Sequence, residues 1–226
     1  MTAALDAGIV PSAVFVAREP SQAENAAAAR AQAAGASTVV VDARALESLS
    51  QTRSPQGVVA QVAFIDRTAE ALGACLPASG PLTVLVLDDL DDPGNSGTLV
   101  RSAEAFGASA VCFGPESVEP YNDKLVRATM GSLFRVPIVR YEHWQQMQET
   151  LRAAHVQLVG SAAGAPDIRS VELSDRIALV LGNERRGISA LPGLERIVGI
   201  PQKPAGDSLN VAIAGSVLLY ELARKR

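Results

Sequence analysis

Short β-branched runs alternate along this chain with longer alanine-rich runs, and this alternation is the feature that most restricts its fold. From Ala13 onward the sequence reads AVFVA, SQAENAAAARAQAAG, STVVV and DARALESLS. Runs of the first kind favour strands, and runs of the second kind favour helices. A chain that alternates between them builds βα units around a largely parallel sheet. We therefore predict an α/β protein.

The same alternation continues through the second half of the chain. The apolar run LTVLVLDDL at 82–90 predicts a buried central strand, and its acidic end marks the sheet edge where α/β proteins bind ligands. The pattern predicts further strands near 109–113, 134–139, 156–160 and 176–182, and helices near 97–106, 122–131, 142–154 and 208–224.

A proline- and glycine-containing segment, LPASGP at 76–81, is typical of a linker. It follows an apolar run at 58–65, VVAQVAFI, that predicts one more strand. We therefore predict a first domain at 1–76, a linker at 77–82 and a second domain at 83–226.

Composition excludes several classes of protein. Hydrophobic residues make up 48% of the chain, enough for a substantial core, but they form no run of about 18 that could span a membrane. The N-terminus lacks the pattern of a signal peptide, so we expect a cytoplasmic protein. Cys75 and Cys112 fit buried small hydrophobes better than a disulfide or a metal site, and no metal is expected. His143 and His155 belong to an ordinary amphipathic stretch, so a histidine base is not expected.

The net charge of −4 argues against nucleic-acid binding through bulk charge. The basic residues, however, are almost all arginines, which suit bidentate phosphate contacts better than lysines do. A genome with arginine-rich codon usage would explain the same bias.

The segment at 87–111, LDDLDDPGNSGTLVRSAEAFGASAV, predicts a strand, an acidic loop and a helix. Asn95 or Ser96 can cap that helix. An apolar stripe through Leu99 and Phe106 leaves Arg101 off the packed face, where it can point into a cleft. A surface turn followed by a solvated arginine fits the spacing as well.

Two later segments complete the candidate site. At 176–189, a buried strand ends at Gly182, where a ligand could approach the backbone, and Glu184 follows as a possible ligand or a surface turn residue. At 200–226, Ser208 is predicted to start the last helix, with Asn210 in its first turn. The small residues at 212–216 would let another helix approach closely, which suits a packed interface within the chain or between subunits.

In order, these segments resemble the three motifs of the SpoU/TrmH-like SPOUT methyltransferases. The first resembles D-x-x-N-x-G-x-x-x-R-x-A-x-x-F-G; LVLGNERRGIS resembles L-x-x-G-x-E-x-x-G; and IPQKPAGDSLNVAIA resembles I-P-x…S-L-N-V-x-x-A. The intervening YNDKLVRATMGSLFRVPI resembles the family's R-A-S-x-G-A-x-F-x-x-P, with Thr129 and Ser132 as departures. The resemblance covers residues 83–226.

The resemblance implies a trefoil-knotted catalytic domain that transfers methyl from S-adenosylmethionine to a ribose 2′-hydroxyl in RNA. It implies a homodimer through the knotted domain, and ribosomal RNA is the expected target. The implied catalytic residues are Asn95, Arg101, Glu184, Ser208 and Asn210. The implied cofactor contacts are Gly160, Ser161, Ala162, Leu181, Gly182, Ile200 and Leu209. Arg101 is implied either as the base or as the group that binds the target phosphate.

The first 75 or so residues resemble the small α/β RNA-binding domain that often precedes this catalytic domain. TRSPQGVVAQVA at 52–63 resembles its closing segment, T-x-x-P-Q-G-x-x-A, whereas the family's usual opening helix and strand are absent, so a shortened domain is expected. Candidates for phosphate contact are Arg18, Arg30, Arg44, Arg53 and, in the second domain, Arg127; each also fits a solvated surface position.

Four alternatives compete with this function. The target could be transfer RNA, or a base could be methylated in place of a ribose. A noncatalytic RNA-binding or assembly protein of this fold is less compatible with the intact set of polar motif residues. A nucleotide-dependent oxidoreductase would need a G-x-G-x-x-G turn after the first strand, which the sequence lacks.

Overall fold

The computed structural model of the chain describes residues 1–50, 56–183, 187–188, 191–203 and 208–225. The chain divides into two compact units, Met1–Ile65 and Asp66–Arg226. Each unit packs helices against a sheet, which confirms the α/β class. Within the described residues, no helix is both long enough and apolar enough to cross a bilayer.

The first unit contains a three-stranded sheet in the order β2-β1-β3. Its elements are α1 (Thr2–Asp6), β1 (Ala13–Ala17), α2 (Gln22–Ala33), β2 (Ser37–Val41), α3 (Ala43–Leu49) and β3 (Val58–Gln61). β1 pairs parallel with β2 and antiparallel with β3. Helix α2 begins at a capping box, in which Ser21 and Glu24 each accept a backbone N–H from the other. The small core joins Val14 and Val16 of β1 to Ala28 and Ala31 of α2.

The second unit contains a seven-stranded sheet in which every described pair of neighbouring strands is parallel. Its strands are β4 (Arg67–Thr68), β5 (Leu82–Leu87), β6 (Ala110–Phe113), β7 (Ile138–Arg140), β8 (Gln157–Ser161), β9 (Arg176–Leu181) and β10 (Arg196–Val198), in the order β10-β8-β9-β5-β6-β7-β4. All six residues of β5 are buried, as the unbroken apolar run predicts for a central strand covered on both faces.

Helices cover both faces of this sheet. They are α4 (Ala69–Cys75), α5 (Pro93–Ala105), α6 (Asp123–Ala128), α7 (Trp144–Ala153) and α8 (Val211–Arg224), with a 3₁₀ turn at Ser132–Phe134. Because successive strand residues point to opposite faces, Leu85 and Leu87 pack in a core with α5, α6 and α8, whereas Val84 and Val86 pack in a second core with α4 and α7.

The division between the units falls before the predicted linker at 77–82. Ala69 and Leu72 of α4 are buried in the same core as Met147 and Leu151 of α7, so this helix belongs to the second unit. The prolines and glycine at 77–81 form the loop that carries the chain from α4 into β5. A loop inside a domain and a linker between domains share this composition, which is why the sequence pattern did not separate them.

Both motif helices begin at residues other than those predicted. Asp92 caps α5, because its carboxylate accepts the Asn95 N–H at 2.7 Å, and Pro93 occupies the first helical position. The helix therefore starts four residues before the predicted 97–106 range. At α8 the cap is Asn210, so the helix begins at Val211 rather than at Ser208.

The knot implied by the resemblance involves the chain between β9 and α8. Residues 184–186, 189–190 and 204–207 of that stretch lie outside the described residues, and the knot stays a prediction.

Gly97 allows α5 and α6 to pack closely. A Cβ at this position would overlap the Ala128 side chain and lie 3.2 Å from the Leu125 carbonyl oxygen. We expect Gly97→Val to destabilise the second unit by about 1–3 kcal/mol, because overpacking against backbone forces the helices apart. That loss would lower the melting temperature by several degrees, measured by thermal unfolding. Thr98→Val, an exposed change on the same helix, is the control, and equal melting of the two variants would contradict the packing argument.

Candidate functional site

A cavity of about 540 Å³ opens beyond the carboxyl ends of β8, β9 and β10. It is lined by Ser161, Ala162, Ala163, Leu181, Gly182, Asn183, Gly187, Ile188, Ile200, Gln202, Ser208, Leu209, Asn210, Val211 and Ala214. All the residues predicted to contact the cofactor are among them except Gly160. The cavity lies at the sheet edge where ligands bind in parallel α/β proteins.

Gly160 lies behind the cavity wall. A Cβ there would overlap the side chain of Ile188 and lie 2.8 Å from Leu194. Its lack of a side chain allows Ile188, which lines the cavity, to pack directly on β8. Gly160 therefore shapes the wall without lining the cavity itself.

Gly182 forms the start of a tight turn at the end of β9. The Gly187 N–H donates to the Asn183 carbonyl oxygen at 2.7 Å, and Gly187 has a φ of +61°, which favours glycine. A Cβ on Gly182 would lie 2.5 Å from the Gly187 carbonyl oxygen and 2.8 Å from Cγ2 of Ile188. The turn can therefore close over the strand end only while residue 182 is glycine. Glu184, a predicted catalytic residue, lies outside the described residues.

Asn183 joins this turn to the loop that follows β5. Its side-chain amide donates to the Asp89 carbonyl oxygen at 3.1 Å. Asp89 has a φ of +60°, an uncommon conformation for a residue other than glycine. The side-chain bond helps to hold that carbonyl in place. Sequence reasoning did not single out Asn183, because an asparagine after a strand is also common in ordinary turns.

Asn95 and Asn210 are brought together although 115 positions separate them. Nδ2 of Asn210 donates to Oδ1 of Asn95 at 3.0 Å. Oδ1 of Asn210 accepts the backbone N–H groups of Ala212 and Ile213, which caps α8. One side chain thus caps the last helix and joins it to the first turn of α5. Ser208 and Asn210 also line the cavity, so the Asn95–Asn210 pair lies at its rim.

The small residues at 212–216 pack within the chain. A Cβ on Gly215 would lie 2.5 Å from both Leu99 of α5 and Leu181 of β9, and the hydroxyls of Ser216 and Ser102 are hydrogen-bonded at 2.6 Å. The prediction that these residues let another helix approach closely is confirmed, and that helix is α5 of the same chain. They let α8 approach α5 and the sheet of its own chain.

An apolar stripe remains exposed on the opposite side of α8. Ile213, Val217 and Tyr220 are 54%, 39% and 49% exposed, and Leu209 precedes them at 38%. Their spacing of three or four residues places them along one side of the helix. The Tyr220 ring contacts Phe106 edge-on, with ring centroids 5.7 Å apart.

Arg101 is exposed and does not line the cavity. It lies in a shallow depression on α5 that is also lined by Thr98, Ser102, Glu104, Ala105, Phe106, Met130, Ser132 and Arg135. The Arg135 guanidinium donates to the Glu104 carboxylate at 2.9 Å and holds the pKa of that carboxyl below its ordinary value. Arg101 has no such partner among the described residues. It is therefore the cation of this depression that is available to an anion.

The arginines predicted to bind RNA differ in their surroundings. Arg18 and Arg44 are exposed in the first unit, whereas Arg30 is paired with Asp6 at 2.6 Å. In the second unit, Arg127 donates to Asp123 at 2.8 Å, one turn earlier on α6. Arg53 lies outside the described residues.

Two family models match the chain. The SpoU rRNA Methylase family matches residues 82–220, and the model described as RNA 2′-O ribose methyltransferase substrate binding matches residues 2–67. These ranges correspond to the two units of the structure.

Two curated relatives illustrate the similarity. The 23S rRNA (guanosine(2553)-2′-O)-methyltransferase RlmP of Bacillus subtilis is 37% identical over 143 residues, which span 62% of this chain and 57% of that protein. The chain thus covers little more than half of that relative's length. The 23S rRNA (guanosine-2′-O-)-methyltransferase RlmB of Coxiella burnetii is 29% identical over 202 residues, 87% of this chain and 80% of that protein.

Two solved structures are similar to nearly the full length of this chain. The AdoMet-bound rRNA methyltransferase from Sinorhizobium meliloti superposes with a TM-score of 0.83 at 31% identity, covering 98% of this chain and 83% of that one. The SpoU methyltransferase AviRb from Streptomyces viridochromogenes, in complex with AdoMet, gives a TM-score of 0.87 at 25% identity over 99% of this chain and 86% of that one. Together with a family model that matches more than half of its length, this likeness shows that the chain belongs to the SpoU rRNA methylase family and has the SPOUT methyltransferase fold.

Proposed function

We propose that the protein is an S-adenosylmethionine-dependent RNA methyltransferase that methylates a ribose 2′-hydroxyl, with ribosomal RNA as its target. The observation that carries the proposal is the cavity at the carboxyl ends of β8, β9 and β10, with the Asn95–Asn210 pair at its rim. RlmP and RlmB are named as 23S rRNA 2′-O-methyltransferases, which supports the choice of ribose and of ribosomal RNA.

The cavity fits the methyl donor in size and in lining. Its volume of about 540 Å³ lies within the range of about 300–1,000 Å³ that is usual for small-molecule sites. Gly182 lines the cavity and lets Gly187 and Ile188 pack against the end of β9, while Leu181, Ile188 and Ile200 supply apolar surface. We assign to these residues, with Ser161, Ala162 and Leu209, the binding of the donor.

The donor supplies a methyl group on a positively charged sulfur, so the protein's task is to bring a ribose hydroxyl in line with it and keep it there. Asn95 and Asn210 present amide groups at the cavity rim, and Ser208 adds a hydroxyl beside them. We propose that these three side chains orient the target ribose. Fixed orientation of two reacting groups lowers the barrier substantially without any covalent step by the protein. The motif positions assign Glu184 to the same group.

Arg101 is proposed to bind the phosphate of the target nucleotide. A guanidinium keeps its proton in proteins at neutral pH, so it cannot readily take the hydroxyl proton. As a permanent cation with a planar set of donors, it is well suited to a phosphate. Holding the phosphate fixes the ribose to which it is attached, and this places the 2′-hydroxyl.

We propose that the active form is a homodimer in which Arg101 acts on the donor cavity of the partner. The exposed stripe of Ile213, Val217 and Tyr220 is the apolar surface that a second copy would bury. Phe106 both contacts Tyr220 and lines the depression that holds Arg101, so this depression adjoins the stripe. Arg101 does not line the cavity of its own chain. We therefore propose that the Arg101 side chain of a second copy, packed against the stripe, completes the site.

Mixed dimers test this arrangement. We expect Arg101→Ala and Gly182→Ala, each strongly impaired alone at a limiting donor concentration, to regain activity when they are unfolded together, refolded and assayed as a mixture. A mixed dimer would then combine the intact cavity of one chain with the intact arginine of the other, while its second site carried both defects. Assembly is checked by mass measurement in solution. If both groups must come from one chain, no mixture regains activity, and that result would exclude the arrangement.

The first unit is proposed to select the RNA. It matches the substrate-binding family model, and Arg18 and Arg44 are its exposed candidates for phosphate contact. With Arg127 on α6, they would extend the contact with RNA beyond the target nucleotide. We further propose that the protein acts in the cytoplasm.

Mapping of 2′-O-methylated nucleotides in cells with and without the gene tests the choice of RNA. We expect one ribosomal RNA position to lose its methyl group when the gene is deleted, and to regain it when the gene is returned. Loss from a transfer RNA alone would replace ribosomal RNA by transfer RNA as the target. A lost base methylation would contradict the ribose assignment.

A further inference from the structure

Three polar side chains on α7 bind the backbone of the segment that follows the donor-cavity wall. Nε1 of Trp144 donates to the Pro192 carbonyl oxygen at 3.0 Å, and Nε2 of Gln148 donates to the same oxygen. Nη2 of Arg152 donates to the Gly193 carbonyl oxygen at 3.2 Å. Because these residues are spaced by four, they lie along one side of the helix. We call them the α7 clamp.

The clamp side chains lie so close to residue 193 that it has no room for a side chain. Gly193 has a φ of +78°, and a Cβ there would collide with Gln148 and lie 2.6 Å from Nη2 of Arg152. Gln148 is only 6% exposed, and an apolar residue of the same size would be the usual choice at such a buried helix position. A buried amide is retained without penalty only where it is hydrogen-bonded. The Pro192 carbonyl oxygen provides that partner.

The clamped segment is continuous with the cavity wall. The Leu191 N–H donates to the Ile188 carbonyl oxygen at 3.0 Å, and Ile188 lines the cavity. The side chains of Ile188 and Leu194 converge on Gly160 of β8. Ile188 and Leu194 are therefore both packed against the sheet, and the clamp bonds to residues 192 and 193, which directly precede Leu194.

Glu195, which follows Leu194, is joined to β8 by two hydrogen bonds. The Glu195 N–H donates to the Leu158 carbonyl oxygen at 2.9 Å, and the Glu195 carboxylate accepts the Leu158 N–H at 3.2 Å. These bonds fix where the segment re-enters the sheet. Ile188 is then held by its packing on Gly160 and Gly182 and, through the Leu191 N–H, by the bonds that α7 makes to residues 192 and 193.

We infer that Trp144 and Gln148 are positioning residues for the methyl donor, acting through Ile188. They touch neither the cavity nor any proposed catalytic group. They support the cavity wall from the side that faces away from the cavity. The inference rests on the proposed function of that cavity. It predicts that loss of the clamp weakens donor binding and leaves transfer at saturating donor unchanged.

The double variant Trp144→Phe/Gln148→Leu tests the inference, because it removes both donors to the Pro192 oxygen and keeps the side-chain volumes similar. With S-adenosylhomocysteine as the calorimetric probe, we expect Kd to rise about tenfold, the effect of losing roughly two ordinary hydrogen bonds. The KM for the donor should rise in parallel, with kcat unchanged. Without any ligand, hydrogen exchange at the Leu191 amide should become faster than in the unaltered chain.

Gln145→Leu is the matched control, since Gln145 is exposed on the same helix and its side chain bonds to Glu149. It should leave Kd, KM and exchange unchanged. The single variant Trp144→Phe loses one bond while retaining an aromatic ring, and we expect a Kd two- to fourfold above that of the unaltered chain even if the double variant does not fold.

Two results would overturn the inference while leaving the proposed function intact. One is an unchanged Kd in a folded clamp variant, and the other is a lower kcat with unchanged KM. Failure of the unaltered chain to bind S-adenosylhomocysteine would instead overturn the donor cavity, and the inference with it.

Discussion

Arg101→Ala is expected to reduce methyl transfer by at least about 100-fold, a magnitude typical for the loss of one group that stabilises charge in an active site. Affinity for S-adenosylhomocysteine should remain within about twofold, because Arg101 does not line the donor cavity of its own chain and is proposed to contact the target phosphate rather than the donor. The physical reason is that the phosphate of the target nucleotide loses its cationic partner, and the ribose loses its alignment. Transfer rates at saturating RNA and donor, together with calorimetry, measure the two quantities separately.

Two variants frame the Arg101 result. Arg101→Lys keeps the charge but loses the planar set of donors, so we expect it to recover only part of the activity. Arg169→Ala removes an exposed arginine whose partner is Asp167, and it should transfer methyl normally. Full transfer by Arg101→Ala would remove Arg101 from the mechanism. An equal loss of methyl transfer in Arg169→Ala would mean that the effect of Arg101→Ala comes from the change in overall charge.

Gly182→Ala is expected to weaken donor binding by about 30-fold or more. The added Cβ would lie 2.5 Å from the Gly187 carbonyl oxygen, and backbone at that distance must move. Displacement of the turn and of Ile188 distorts the cavity wall, and overpacking of about 2 kcal/mol corresponds to a factor of this size. Titration of S-adenosylhomocysteine by calorimetry measures the loss directly.

Gly73→Ala is the matched control for the added methyl group. Gly73 is exposed on α4, and a Cβ there would meet no atom within 4 Å. This variant should bind the probe as the unaltered chain does. If Gly182→Ala folds and also binds with unchanged affinity, the donor does not occupy this cavity.

The sheet was predictable from the sequence because its strands are continuous apolar runs. The run at 82–90 predicted β5, whose six residues are all buried, and that at 176–182 predicted β9 beside it. Both strands end where motif residues begin, so the position of Gly182 at the sheet edge followed from the pattern. β4, only two residues long, carries too short a pattern to be recognised.

The contacts of the candidate site were less accessible to sequence reasoning. The bond between Asn95 and Asn210 depends on how α8 returns to α5, which local periodicity does not determine. Asp92 rather than Asn95 or Ser96 caps α5, because Pro93 fixes the first helical position. Three residues within five positions can each cap a helix, so the pattern could not choose between them.

The placement of Arg101 shows a further limit of patterns along one chain. The apolar stripe of α5 correctly placed Leu99 and Ala103 in the core and Arg101 outside it. It could not indicate that the exposed side of the helix lies away from the cavity of the same chain. A group supplied by a second copy leaves no periodicity that differs from that of a solvated surface residue.

The proposed methylation of a ribose 2′-hydroxyl is tested most directly by the chemical position of the transferred methyl group. The full chain is incubated with unmodified ribosomal RNA and donor carrying a labelled methyl group, and the RNA is then hydrolysed in alkali. Cleavage requires a free 2′-hydroxyl, so a 2′-O-methylated nucleotide remains joined to its neighbour. We expect the label in an alkali-resistant dinucleotide, and little of it from Arg101→Ala. Label recovered in single nucleotides, as expected for a methylated base, or no transfer at all under these conditions, would contradict ribose methylation by this protein.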